Sequence, residues 1–248
     1  MSEDAAVVGL VGEPDATTSV CDRLTAAGIE GLETAQSIRT VDPSLVIAVG
    51  DRGVSEMAAA DLNVPIVPVG AGPGIRSVPR TAIDGLIAAI EAGAWTVERH
   101  RPLVVAVEGD VVGMAVFDVS LVTAQAASIS EYSVAVDGRT LDGSRADGVV
   151  LATAAGSTEY ARRIDGPVLS PGTGVLVAWI APFNSNPDRW VVDATELTLR
   201  VEREESAVDL LVDERRVRPI TPTETVTVRV GEPLQIAVVD ASLDRVSS

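Results

Sequence analysis

Apolar positions along this chain follow two textures, and the change between them comes near Trp95. Before it, short apolar runs alternate with amphipathic stretches. Ala6–Val11 is a run of the first kind and leaves through Gly12-Glu13-Pro14, as a strand leaves through a turn. Asp15–Ala27 follows, with Val20, Leu24 and Ala27 at helical spacing and Gly28 as the stop. Leu45–Val49 and Val64–Val69 predict two further buried strands. The first enters Gly50-Asp51-Arg52-Gly53 and a helix running through Met57 to Ala60; the second exits into Gly70-Ala71-Gly72-Pro73-Gly74. Ala82–Ala92 has the apolar spacing of an amphipathic helix.

Beyond Trp95 the runs become short and β-rich: Leu103–Val107, Met114–Val119, Tyr132–Val136, Val149–Leu151, Val175–Ile180, Leu197–Val201, Ala207–Val212 and Thr225–Val230. Turn residues separate them, among them Asp137-Gly138 and Asp142-Gly143. The expected fold class is therefore α/β plus all-β. A Rossmann-like α/β domain over residues 1–98 carries a parallel sheet with ligands at the strands' carboxyl ends. A β-sandwich-like domain follows over 99–232, and 233–248 is a closing segment.

Composition changes the picture in two ways. With 46% hydrophobic residues over 248 positions, the chain can bury one large core or two modest ones. Its 36 acidic residues face 19 basic ones, all arginine with no lysine, for a net charge of −17. Such a charge repels itself in a compact fold at low salt, whereas molar salt shortens the Debye length to about 3 Å. A salt-adapted cytoplasmic protein is the expectation, the plainer alternative being an acidic protein with an arginine-rich codon bias. The acidic balance argues against nucleic acid as a partner, since that needs a basic footprint. No apolar run approaches a membrane span, the acidic start MSEDAAVVGL is unlike a secretory signal, and a lone cysteine, Cys21, excludes an internal disulfide framework.

The chemistry concentrates in DGVVLATAAGSTEYARRIDGPVLSP, Asp147 to Pro171. A buried strand runs into a Gly156-Ser157-Thr158 corner, where small residues let backbone N–H groups and hydroxyls approach a ligand. A Gly-Ser-Thr turn with a helix cap is the plain structural alternative. The segment resembles the nucleotide-binding signature of the NAD kinase family, in which a DG precedes a TPTGSTAY-like block and then GGP. Here the block reads Thr153-Ala154-Ala155-Gly156-Ser157-Thr158-Glu159-Tyr160. The resemblance implies the α/β-then-β architecture, a last segment that returns to the first domain, and a nucleotide between the halves. It also implies a homodimer or homotetramer whose neighbours contribute to the site. Its ligands would be NAD or NADP and ATP, with Mg²⁺ if the protein is active.

The resemblance assigns roles by position. Thr158 and Tyr160 match nucleotide-contacting positions, Asp147 matches the DG aspartate, and Gly156 and Ser157 belong to the block. Glu159 replaces a small alanine, Ala161 stands where the family has Asn, and Arg163 stands where it usually has a small residue. Ala115-Val116-Phe117-Asp118-Val119 resembles the family's ALNE segment: Phe117 removes the amide, and Asp118 keeps the charge on a shorter side chain. Gly50-Asp51-Arg52-Gly53 resembles GGDGT, whose carboxylate holds and helps deprotonate the ribose 2′-hydroxyl. Without a gap the catalytic Asp falls on Arg52, which cannot accept a proton; a slip of one residue brings in Asp51. The alternative for Asp51 is a turn aspartate capping the next helix.

Gly70-Ala71-Gly72-Pro73-Gly74 stands at the family's NTGxLGF loop without its polar residues. Val212-Asp213-Glu214-Arg215 stands where the family tends to have DGQ, and Asp213 reads first as a hairpin-turn residue. His100, between Arg99 and Arg101, reads as part of a solvated link, and Cys21 as a small hydrophobe on the first helix. Three functions stay open. One, the leading reading, is a nucleotide-binding protein with an eroded active site that binds NAD or NADP without efficient turnover. The second is a divergent kinase using Asp51, and the third is a structural subunit with an empty site. Arg52 and Arg163 offer positive charge for a ribose 2′-phosphate, which favours NADP over NAD.

Overall fold

The computed structural model describes residues 7–32, 35–60, 62–125, 128–184 and 187–244. It divides into two compact units, one of Met1–His100 with Pro233–Ser248 and the other of Arg101–Glu232. In the first unit the elements run β1 (Val7–Gly12), α1 (Pro14–Ala26), β2 (Glu30–Leu32), α2 (Ala35–Val41), β3 (Val46–Val49), α3 (Gly50–Ala59), β4 (Ile66–Val69), α4 (Ile83–Ala92) and β5 (Thr96–His100). The second unit holds β6 (Leu103–Val107), β7 (Asp110–Ala115), β8 (Asp118–Thr123), β9 (Ser130–Val136), β10 (Arg139–Ala146), β11 (Gly148–Ala152), α5 (Tyr160–Arg163) and β12 (Val175–Ile180). It continues through β13 (Trp190–Val192), β14 (Glu196–Arg203), β15 (Val208–Val212), β16 (Arg215–Ile220) and β17 (Thr225–Val230); β18 (Leu234–Val238) belongs to the first unit.

The first unit is a six-stranded sheet in the order β2-β1-β3-β4-β18-β5. Its strands pair in parallel up to β18, and β5 closes the edge antiparallel. β3 and β4 are buried at every position, as strands covered on both faces must be. Val8, Leu10, Ile47, Val49, Val67 and Val69 pack with Val20 and Leu24 of α1 and Ile83 and Leu86 of α4. Cys21 is half-buried against this cluster.

The second unit is a sandwich of two antiparallel six-stranded sheets, β10-β9-β14-β17-β6-β7 and β13-β12-β11-β8-β15-β16. Residues alternating along both sheets, such as Val105, Tyr132, Leu199 and Val226 facing Leu121, Val149, Val177 and Leu210, form the core. β11 and β12 are buried at every position, so both of their faces are covered. Their second set, Val150, Ala152, Leu176, Ala178 and Ile180, packs under Ala161 and Leu169. The segment after β11 is therefore fastened across the outer face of that sheet, and this placement sets the geometry of the Gly156 corner. The expected α/β-plus-all-β class is the class observed.

Two expectations are corrected. Asp142-Gly143 is not a turn: it lies inside β10, opposite Val134 and Ser133 of β9, and Asp142 Oδ2 accepts from Trp179 Nε1 at 3.0 Å. Asp137-Gly138 does make the turn, with φ of 46° and 77°. His100 is not a solvated link either; it is 6% exposed at the end of β5, paired with Leu234 of β18. The strand that buries it comes from the far end of the chain, so local composition carried no sign of it.

Candidate functional site

At the carboxyl ends of β3 and β4, Gly50 turns the chain into α3 with φ of +71°, a conformation that favours glycine. Gly53, one turn on, sits where a Cβ would lie 2.7 Å from the Val11 carbonyl oxygen, so the start of the helix rests directly on β1. This seating decides the direction of the two residues between the glycines. Asp51 is half-buried, and its Oδ1 accepts from the Gly72 N–H at 2.8 Å, in the glycine-rich loop after β4. Arg52 is exposed: its Nε donates to Glu56 and its Nη1 to Glu13, each at 2.9 Å. Glu56 first and Glu13 second hold the guanidinium above its ordinary pKa. Of the adjacent pair, the carboxylate meets the strand-end loop and the cation turns to two glutamates.

In the second unit, β11 delivers the chain to Thr153, whose hydroxyl organises the corner. Thr153 Oγ1 donates to the Val116 carbonyl at 2.6 Å and accepts from the N–H groups of Ala155 and Gly156 at 3.1 and 3.2 Å. Thr153 N–H donates to the Phe117 carbonyl at 2.9 Å. Gly156, Ser157 and Thr158 form a buried 3₁₀ turn. Ser157 Oγ donates to Ala154 O at 2.8 Å and accepts from Leu169 N–H at 2.9 Å; Thr158 Oγ1 donates to Ala155 O at 3.1 Å. These hydroxyls first hold the corner's own shape. Phe117 is 5% exposed and packs as a core residue.

Four separated stretches bring charge to this corner. Asp118 is 4% exposed at the start of β8. Burial, then the charges of Asp213, Glu214 and Glu159, push its carboxyl from the ordinary 3.8 up to about 7. Tyr160 opens α5 half-buried; burial, then Asp147 and Asp118, raise its phenol, while Arg163 acts the other way. Asp147 stands between β10 and β11, where its carbonyl accepts from Thr123 N–H at 2.8 Å and from Tyr132 Oη at 3.3 Å. Asp118, Asp147, Tyr160 and Arg163 thus share one electrostatic neighbourhood beside the Gly156–Thr158 turn. Arg163 is exposed.

The raised Asp118 carboxyl has a consequence for stability. Below pH 4 it is protonated whether the chain is folded or not. Between about 4 and 7 only the folded chain keeps the proton, so stability falls as pH rises, levelling above about 7 after a loss of roughly 4 kcal/mol. Asp118→Asn is expected to melt several degrees above the parent at pH 8 and level with it at pH 4. Thermal melts across that range check this; an advantage that does not vary with pH would refute it.

Sequence reasoning did not see that Asp213 reaches this site, or that Thr153 organises it. Asp213 is in the hairpin turn, as expected, and its side-chain partners lie up to 97 positions away, so local pattern carries no sign of them.

Comparison with known proteins gives a consistent result. Residues 117–238 match the family model of the ATP-NAD kinase C-terminal domain. The chain is 30% identical over 209 residues to an NAD kinase of Methanosarcina mazei, covering 82% of this chain and 71% of that protein. It is 29% identical over 208 residues to an NAD kinase of Methanosarcina acetivorans, covering 81% and 74%. Its fold resembles yeast NADH kinase complexed with NADH, with a TM-score of 0.77 over 97% of this chain and 85% of that one at 14% identity. An NAD kinase from Archaeoglobus fulgidus in complex with ATP gives 0.72 over 94% of both chains at 19% identity.

Proposed function

The chain belongs to the NAD kinase family, and from that membership we propose that it binds NAD and slowly transfers to it a phosphoryl group from ATP, with Asp51 taking the 2′-hydroxyl proton. The observation that carries this reading is the direction of Asp51, whose carboxylate lies at the carboxyl ends of β3 and β4 against the Gly72 N–H. Ligands of open parallel sheets gather at such ends, and a general base must be an acceptor within reach of the proton it takes. Arg52, in register with the family's aspartate, is engaged elsewhere. Phosphoryl transfer relies mainly on positioning and charge stabilisation, so a base displaced by one residue still supports it.

Asp118, Asp147, Gly156, Ser157, Thr158 and Tyr160 are proposed to hold the dinucleotide, and Gly50 and Gly53 to lay backbone near phosphate. Mg²⁺ enters as part of the ATP substrate. Among the described residues no three His, Cys, Asp or Glu side chains gather as a metal cage. Among the described residues, no helix is long and apolar enough to cross a membrane. The test is NADP formation from NAD and Mg·ATP in multimolar KCl, with calorimetry of NAD and NADP on the same protein.

A second reading, binding without turnover, is favoured by Phe117. It replaces an amide of the family's pattern and lies in the core. Folded protein that binds dinucleotide and forms no NADP would establish it. Under either reading Arg163 is left to favour the 2′-phosphate, since Arg52 is paired. NADP is expected to bind more tightly than NAD, and Arg163→Gln to erase about tenfold of that difference. Equal affinities in the parent protein would remove the preference.

A further inference from the structure

Asp213 and Glu214 form the two-residue turn between β15 and β16, with φ of 47° and 62°. Left-handed backbone is uncommon outside glycine and more so for a bulky side chain, and two-residue hairpins ordinarily place Asn-Gly or Asp-Gly here. Asp takes this conformation more readily than Glu does, and this turn has a support beyond the hairpin itself. The contacts of Asp213 supply it. Its Oδ2 accepts from Val116 N–H at 3.0 Å, and its Oδ1 from Phe117 and Asp118 N–H at 2.8 and 3.1 Å. In return, Asp213 N–H donates to the Asp118 carbonyl at 2.9 Å. One side chain thus holds three successive amides of the turn between β7 and β8, and that turn ends on Asp118.

We propose that Asp213 is the positioning residue for Asp118: it fixes the turn that aims the Asp118 carboxyl and keeps a negative charge beside it. The same turn carries the Val116 and Phe117 carbonyls that receive Thr153, so the β15–β16 hairpin sets Asp118 and the Gly156 corner together. The charged and titratable groups bearing on Asp118 are Asp213 and Glu214 from the hairpin, Glu159 from the approach to α5, and Tyr160, which feels Asp118 in turn. In this setting Asp118 is protonated over much of the range below neutrality and offers a nucleotide a donor O–H as well as an acceptor. The importance of that donor for binding rests on the function proposed above; the linkage between the two aspartates does not.

The linkage is tested without ligand, by carboxyl carbon NMR of uniformly labelled protein, with Asp118 identified by the signal that Asp118→Asn removes. Asp213→Asn is expected to lower the Asp118 midpoint by about one unit. It places an amide NH₂ against one of the three backbone donors, and NAD affinity is expected to fall about tenfold. An unchanged Asp118 midpoint in folded Asp213→Asn overturns the proposal, because a merely structural aspartate would alter stability and leave the titration alone. Should that variant not fold, amide exchange in the parent decides: slow exchange at Val116, Phe117 and Asp118 together supports the clamp, and fast exchange at all three overturns it. Parent protein that binds neither NAD nor NADP overturns the proposed function and leaves the aspartate linkage to the titration.

Discussion

Gly156→Ala is expected to melt the β-rich unit about 10 °C below the parent and, on the proposed function, to abolish dinucleotide binding. A Cβ at this position would lie 2.0 Å from the Phe117 carbonyl oxygen and 2.4 Å from its carbon, both of them backbone. A flexible side chain could swing away, whereas this carbonyl is held by the Thr153 N–H and its neighbouring amides by Asp213. The corner must therefore lift off the sheet, separating Ala161 and Leu169 from Val150 and Leu176. Overpacking of this severity costs ~3 kcal/mol, which for a unit of this size is roughly 3–4 °C per kcal/mol. Gly31→Ala is the control: the nearest atoms to its added Cβ lie at 3.9 Å, and its melting temperature should match the parent's. If both alanine variants melt alike, the close approach at Gly156 is not a constraint on the fold.

If the proposed function holds, Asp51→Asn is expected to lower NADP formation by about 10²- to 10⁴-fold, the range lost with a general base, and to leave NAD affinity within about twofold. The amide still offers Gly72 N–H an oxygen, so the loop keeps its anchor while proton acceptance is lost. Arg52→Gln is the informative companion. Its guanidinium is engaged by Glu13 and Glu56 on the surface, and turnover is expected to stay within about threefold. Steady-state assays of both variants in multimolar KCl decide the matter. If Arg52→Gln collapses turnover and Asp51→Asn does not, the assignment of the two residues is reversed.

The periodicity of the apolar residues sufficed for the larger architecture. Strands such as Val46–Val49 and Val175–Ile180 announce themselves because burial on both faces requires unbroken apolar runs. The helix Ile83–Ala92 does so by the spacing of its apolar stripe. The signature from Asp147 to Pro171 was legible for a related reason: the residues that carry it are contiguous, and its glycines stand where backbones touch. Polar strands were invisible. Arg139–Ala146 and Arg215–Ile220 each bury a single residue and are strands only because β9 and β15 pair with them.

Only the tertiary structure decided the directions of the candidate side chains. Adjacent residues at the start of a helix point about 100° apart, so which of Asp51 and Arg52 meets the loop after β4 depends on how Gly53 seats α3 against Val11, a contact between separate segments. Asp213 and Asp118 meet across 95 positions because β15 pairs with β8. Residue types and local spacing determined which side chains this protein had to work with. Their directions and the charges they feel came from strand pairing and close backbone packing, which couple parts of the chain that no local pattern connects.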